Sequence, residues 1–286
     1  MSSTLLNYLN KAENWLREKN IASPRLEAQV IFAHFLQLKR YELFTQSDRP
    51  LNADEVTALR ELLTQKARGV PTAYILQSKE FYGVNFYVDA SVLIPRPETE
   101  YLCEQIIQRE KSVDRIADLG CGSGCIGITL GKHLAAQEIV LADISADALS
   151  VAEKNARQSD FSAINFRFLE LDFTAENVES QLPNNYFDLI VSNPPYVLGE
   201  EWASLDHSVR NFEPQKALLA EKFSDLHEKL GRTVYPTLRS GGVFYVETHP
   251  QKLAEVARLM ENIGFTKIEI LNDLSARPHF LRLEKL

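Results

Sequence analysis

The spacing of apolar positions changes along the chain. Over the first 70 residues it is helical. Pro24 fits a first helical position, and Ser23 in front of it is expected to cap that helix. Leu26, Val30, Ala33 and Leu36 follow at helical spacing. Asn52-Ala53-Asp54-Glu55 has the form of a capping box, and Val56, Leu59, Leu62 and Leu63 give the helix behind it an apolar side. Gly69 and Pro71 are stop signals. From Glu80 the pattern shortens. Residues 81–88, Phe-Tyr-Gly-Val-Asn-Phe-Tyr-Val, are aromatic and β-branched and predict a hairpin or an extended linker. Pro95-Arg96-Pro97-Glu98-Thr99-Glu100 then opens a helix, with acids at its positive end.

Beyond residue 110, strand and helix patterns alternate. Strands are expected at 115–119, 138–142, 165–169, 187–191, 243–247, 267–271 and 279–283. Helices are expected near 125–134, 146–157, 224–238 and 250–263. Such alternation with apolar strands predicts an α/β fold, a mostly parallel seven-stranded sheet covered on both faces. The link 272–278 is too short for a crossover helix, so the last two strands should pair antiparallel, closing the sheet with one reversed strand. The expected division is a small N-terminal helical domain over 1–78, a hairpin and connecting helix over 79–110, and the main domain over 111–286. The helical domain reads either as a partner-docking module or as a cap that only buries apolar surface.

Composition narrows the class. Of 286 residues, 45% are apolar and 24% charged, which excludes a wholly disordered or fibrous chain. No apolar run approaches the ~20 residues of a membrane span. The first residues show no basic segment followed by an apolar core, so no signal peptide and a cytoplasmic location are expected. Three cysteines cannot build a disulfide framework, and neither they nor the six histidines show metal spacing, so no metal is expected. The net charge is −8, with +2 over residues 1–80 and −10 over the remainder. That balance weighs against a duplex-DNA enzyme, whose main domain normally carries a basic footprint.

Two motifs carry chemistry. The first strand–helix turn reads Asp118-Leu119-Gly120-Cys121-Gly122-Ser123-Gly124, and such glycines let backbone approach a ligand at a helix N-terminus. Asp143, with Ile144 beside it, follows the second strand where an acid can accept from ribose hydroxyls. Asp172 and Phe173 follow the third strand and suit an adenine ring, one at its amino group and one at its face. A dinucleotide would place a pyrophosphate at the glycines; Asp118 would repel it and suits a cofactor ammonium instead. The second motif, Asn193-Pro194-Pro195-Tyr196, ends the fourth strand. The Asn193 side-chain carbonyl and the Pro194 backbone carbonyl can converge as acceptors, beside the flat Tyr196. That set suits a planar NH2 group held in line with a methyl donor.

Together the two motifs resemble the class I S-adenosylmethionine-dependent amino-methyltransferases, a Rossmann-like family. Phe81-Tyr82-Gly83, Ile94 to Glu100, Asp143 to Ala148 and Glu213 to Leu218 narrow the resemblance to the peptide chain release factor glutamine N5-methyltransferases. It implies methyl transfer from S-adenosylmethionine, leaving S-adenosylhomocysteine, to the glutamine side-chain nitrogen of a Gly-Gly-Gln loop in a release factor. It places Gly120 to Gly124, Asp143, Phe173 and Asn193 on the cofactor, where the residue reading adds Asp118, Ile144 and Asp172. It places Asn193, Pro194, Pro195 and Tyr196 on the glutamine, with Asn193, Pro194 and Tyr196 catalytic. Arg96 and Glu98 either receive the substrate or serve as an ordinary ion pair and helix-start acid. No direct nucleic-acid or membrane partner is expected. Leu219 to Phe223 and Thr248-His249 depart from the family pattern. The same clamp would also suit an adenine or guanine exocyclic amine, and the sequence Gly122 to Gly127 alone would suit a nicotinamide enzyme.

Overall fold

The computed structural model describes residues 4–158, 164–175, 178 and 181–286. These form two compact units. One comprises residues 4–78 and 206–212. It holds α1 (Leu5–Glu18), α2 (Pro24–Phe35), α3 (Glu42–Thr45), α4 (Ala53–Ala67), α5 (Thr72–Leu76) and the short α9 (His207–Phe212). Leu5, Leu16, Ile31, Phe32, Leu43 and Leu59 make its core.

The capping box forms as expected: Glu55 N–H donates to Asn52 Oδ1 at 2.8 Å, and Asn52 N–H to the Glu55 carboxylate at 3.0 Å. Ser23 does not cap. It sits at φ 51° and ψ 49° without a side-chain cap bond, whereas capping needs extended backbone such as Asn52 has at φ −77° and ψ 170°. The buried face of α2 also differs from the expected stripe. Ala28, Ile31, Phe32 and Ala33 are buried and Leu26 is exposed, because α1, α4 and α5 all pack against this helix.

The second unit begins with the hairpin β1 (Lys79–Phe81) and β2 (Val84–Phe86), turned by Tyr82 and Gly83, both at positive φ. Helix α6 (Pro97–Arg109) follows. The main sheet contains β3 (Arg115–Leu119), β4 (Glu138–Asp143), β5 (Asn165–Glu170), β6 (Phe187–Ser192), β7 (Leu238–Glu247), β8 (Thr266–Asn272) and β9 (Pro278–Glu284), in the order β5-β4-β3-β6-β7-β9-β8. The first five are parallel neighbours, and β9 runs antiparallel to both β7 and β8. The reversed strand therefore lies inside the sheet, with β8 at the edge. Side chains alternate across the strands into two cores. Ile116, Leu141, Leu189 and Val191 face one way, toward α6 and α7 (Cys125–Leu134). Ala117, Val140, Ile190 and Phe244 face the other, toward α10 (Phe223–Thr237) and α11 (Leu253–Ile263). Helix α8 (Ala146–Gln158) joins β4 to β5.

Strand β7 starts five residues before its expected start. Gly241 is at φ 75°, and a Cβ on Gly242 would lie 2.9 Å from the Arg239 carbonyl and 3.0 Å from that of Phe187. The glycine pair thus lets the strand continue past a register shift opposite β6. The expected helix at 250 begins as a 3-10 turn, Pro250–Lys252.

The two caps make a differential prediction. Asn52→Ala should cost about 1 kcal/mol in denaturant unfolding, and Ser23→Ala less than about 0.5 kcal/mol. Equal costs would contradict the cap geometry.

Candidate functional site

Strand register assembles the site. Leu119 pairs with Ala142 on one side and Ser192 on the other, and Ser192 pairs with Val246. The next residue on each strand is Asp143, Gly120, Asn193 or Glu247. These four stand in a row along the C-terminal edge of β4, β3, β6 and β7, at strand steps of about 4.8 Å. The Ser192 hydroxyl donates to the Leu119 carbonyl at 2.6 Å and ties the two central strands at this edge.

The glycine turn is held from both sides. Gly120 and Cys121 N–H groups donate to the Ala142 carbonyl at 2.8 and 3.0 Å, and Gly124 N–H to the Cys121 carbonyl at 2.8 Å. Gly120, Gly122 and Gly124 all have positive φ. Asp143 Oδ2 accepts from Gly122 N–H at 2.9 Å and Oδ1 from Ser145 N–H at 3.0 Å. Asn155 on α8 links this turn to the hairpin: its Nδ2 donates to the Ser123 and Tyr87 carbonyls, and its Oδ1 accepts from Tyr87 N–H at 2.7 Å. Ser123 itself is buried. Phe173 borders the turn, 4.0 Å from where a Gly120 Cβ would lie. Asp172 Oδ1 accepts from the Thr174 amide and hydroxyl. Ile144, beside Asp143, is 53% exposed.

Asp118 is fully buried. Its Oδ2 accepts from Gly127 N–H at 2.8 Å, while Oδ1 has no hydrogen-bond partner among the described residues. Burial pushes its carboxyl up to about 7, offset in part by the Gly127 bond and helped by the nearby Asp143 charge. A buried acceptor without a donor marks a place where a cationic donor would be stabilised. Burial also pushes the Cys103 and Cys121 thiols well above the usual range, and Cys125 to about 12, as expected of packing residues. Among the described residues no group of three His, Cys, Asp or Glu side chains could hold a metal.

The Asn193 turn lies one strand over. Asn193 Nδ2 donates to Thr99 Oγ1 at 3.3 Å, and Tyr196 hydroxyl donates to Glu247 Oε1 at 3.1 Å. Pro194 is buried and Pro195 half-buried. The chain beyond is pinned where Val197 bridges Leu219, inside the stretch that departs from the family pattern; Ala220 and Phe223 there are buried. The other departure ties the end of β7 to its surroundings. Thr248 Oγ1 meets His227 Nε2 at 2.8 Å, and His249 Nε2 meets Glu201 Oε1 at 3.0 Å. Burial lowers His227 to about 4, so it is neutral near pH 7.

Arg96 and Glu98 are placed differently from each other. Arg96 Nη2 pairs with Glu213 Oε1 at 2.7 Å, and Glu213 Oε2 accepts from Ile94 N–H at 3.1 Å. The motifs at Ile94 and Glu213 are thus one physical unit. Glu98 is half-buried in the first turn of α6. Thr99, Asn155, Ser192, Glu213 and Glu247 belong to this site and escape the motif reading as individual residues.

Two family models match the chain, the PrmC N-terminal domain over residues 7–76 and the methyltransferase small domain over 97–222. A release factor glutamine methyltransferase of Chlorobaculum tepidum is 38% identical over 90% of this chain and 88% of its own length. Another, from Leptospira interrogans, is 37% identical over 99% of this chain and 98% of its own. The chain belongs to the release factor glutamine methyltransferase family. The class I methyltransferase fold of this family member is shared with a Pyrococcus furiosus methyltransferase, with TM-score 0.53 and 14% identity over 80% of this chain and 98% of that one. It is also shared with a T. thermophilus 16S rRNA N2 G1207 methyltransferase in complex with AdoMet and guanosine, with TM-score 0.51 and 20% identity over 73% and 50% of the two chains.

The raised Asp118 carboxyl makes stability depend on pH. The folded state holds this proton up to pH about 7, the unfolded chain only to about 4, so Asp118 lowers stability as pH rises between those values. Unfolding free energy measured against pH, without ligand, should fall less steeply from pH 4 to 7 in Asp118→Asn than in the wild type. Parallel curves would contradict the assignment.

Proposed function

We infer that this protein transfers a methyl group from S-adenosylmethionine to the side-chain amide nitrogen of the glutamine in the Gly-Gly-Gln loop of a peptide chain release factor. The observation that carries this reading is the adjacency of Gly120 and Asn193 on paired strands, which sets a cofactor loop beside an amide clamp. Full-length similarity to named release factor glutamine methyltransferases supports the substrate.

S-adenosylmethionine, when bound, supplies an electrophilic methyl group on a sulfonium centre. Its ammonium suits the vacant hydrogen-bonding capacity of Asp118 Oδ1. Gly120 to Gly124 let the backbone come close, with Cys121 and Ser123 packing the turn. Asp143 keeps lone pairs beyond those used by Gly122 and Ser145, enough to accept from ribose hydroxyls. Ile144 and Phe173 offer apolar faces to an adenine, and Asp172 Oδ2 an acceptor to its amino group.

An amide nitrogen is a poor nucleophile because its lone pair is delocalised into the carbonyl. Asn193 Oδ1 and the Pro194 carbonyl accept from its two N–H groups, which aims the nitrogen and stabilises positive charge as it develops there. One of these N–H protons leaves to solvent after the transfer, so no strong base is needed. Pro194 and Pro195 fix the turn and remove competing N–H donors. Tyr196, anchored through its hydroxyl, gives the carboxamide a flat wall. Arg96 and Glu98, at the start of α6, receive the substrate loop; the bond to Glu213 uses one of the five guanidinium N–H donors. The substrate is a protein rather than nucleic acid, and the protein works in the cytoplasm. Among the described residues, no helix is long and apolar enough to cross a membrane.

Mass spectrometry of a release factor after reaction should locate one added methyl on the glutamine of its Gly-Gly-Gln loop, and none after Gln→Ala there. Equal labelling of both, or methylation of a nucleic-acid base instead, would overturn the reading. Asn193→Ala should lower kcat by roughly 100-fold or more with a normal thermal transition. Asp143→Ala should weaken S-adenosylhomocysteine binding in calorimetry; an unchanged Kd would remove Asp143 from the ribose.

A further inference from the structure

A buried polar chain runs behind the Asn193 turn, built from residues far apart in sequence. Glu247, at the end of β7, has no exposed surface. Its Oε2 accepts from the Thr99 hydroxyl at 2.8 Å and its Oε1 from the Tyr196 hydroxyl at 3.1 Å. Thr99, third residue of α6 and 3% exposed, accepts from Asn193 Nδ2 at 3.3 Å. His279 flanks the same carboxylate, with Nε2 3.5 Å from Oε1 and its ring edge-on to Tyr196.

The direction of these bonds matters more than their number. A hydroxyl has a single proton. With that proton committed to Glu247, Thr99 offers Asn193 only lone pairs, and lone pairs select the NH2 end of the carboxamide. The two ends of a carboxamide have nearly the same shape, so packing alone distinguishes them poorly. Turned over, Asn193 would meet an incoming NH2 group with its own NH2, donor against donor.

We propose that Thr99 and Glu247 are positioning residues that hold the Asn193 carboxamide with Oδ1 toward the substrate nitrogen, Glu247 also fixing Tyr196. The proposal rests on the methyl-transfer reading above. Neither residue touches the substrate. Glu247 orders both arms of the clamp through hydroxyls, one on α6 and one in the clamp itself. Helix α6 is set in place by Glu213, which holds Ile94 and Arg96 just before its first turn.

The test uses the full-length protein, a full-length release factor and S-adenosylmethionine, with Thr99→Val, Thr99→Ser and Glu247→Gln. Thr99→Val keeps the shape and removes the acceptor. Its kcat should fall roughly 10- to 100-fold, while KM for the release factor and Kd for S-adenosylhomocysteine stay within about threefold. Thr99→Ser, which restores the hydroxyl, should recover most of that loss. Glu247→Gln should lose at least as much as Thr99→Val, because it disturbs both arms. The proposal is overturned if Thr99→Val keeps more than about half of the wild-type kcat, if Thr99→Ser falls as far as Thr99→Val, or if the loss lies in KM or Kd alone. Should Thr99→Val lack a cooperative thermal transition, Thr99→Ala takes its place with the same outcomes. Wild-type protein that transfers no methyl would overturn the functional reading together with this one. Wild-type activity with an indifferent Thr99→Val would overturn this one alone.

Discussion

The pairing of Leu119 with Ser192 is the constraint on which the site depends. Parallel strands end together only when their register is fixed, and here that ending determines which residues become neighbours. A slip of one residue between β3 and β6 would move every side chain of one strand to the opposite core, where the facing side chains are packed for different partners. The two cores therefore hold the register, and the register holds Gly120 beside Asn193. The Ser192 hydroxyl on the Leu119 carbonyl secures the junction where the ladder gives way to loops. Ligands of open α/β sheets gather at this edge because the strands stop there and the connecting turns leave a crevice.

Two buried carboxylates at this edge are treated in opposite ways. Glu247 accepts on both oxygens from hydroxyls within the protein, so its lone pairs are spent on internal order. Asp118 accepts on one oxygen only, and burial holds its carboxyl up to about 7. The fold thus carries an electrostatic cost at Asp118 that a bound cation would relieve, which is the behaviour expected of a group kept for a ligand rather than for stability. The proposed reaction would draw on both: Glu247 to order the side that receives the methyl group, Asp118 to hold the side that donates it.

Much of this was legible in the sequence. The glycine turn, Asp143 and the Asn193 turn are local motifs at strand ends, and period-2 and period-3.6 patterns located the strands and helices of the sheet. What escaped depended on partners distant in the chain. Thr99 reads as one polar residue in a helix start until Glu247, 148 residues later, is placed against it. Glu213 stands in a family motif, but its job shows only when Ile94 and Arg96 meet it. An acid closing the apolar run at Glu247 was the available signal, since a charge at a strand end on the ligand edge needs a partner. Ser23 misled because composition suggests a cap while the backbone, turning left-handed, withdraws the hydroxyl from the helix. The inner position of β9 was hidden because antiparallel pairing with β8 says nothing of which strand lies at the edge.

The most direct measurement is a crystal structure of the protein with S-adenosylhomocysteine and a Gly-Gly-Gln peptide of a release factor. The glutamine nitrogen should lie within hydrogen-bonding distance, about 3 Å, of both Asn193 Oδ1 and the Pro194 carbonyl. The cofactor sulfur should lie on the line of attack, and Asn193 Nδ2 should still be on Thr99. A glutamine bound elsewhere, or met by the Asn193 amide nitrogen, would contradict this arrangement.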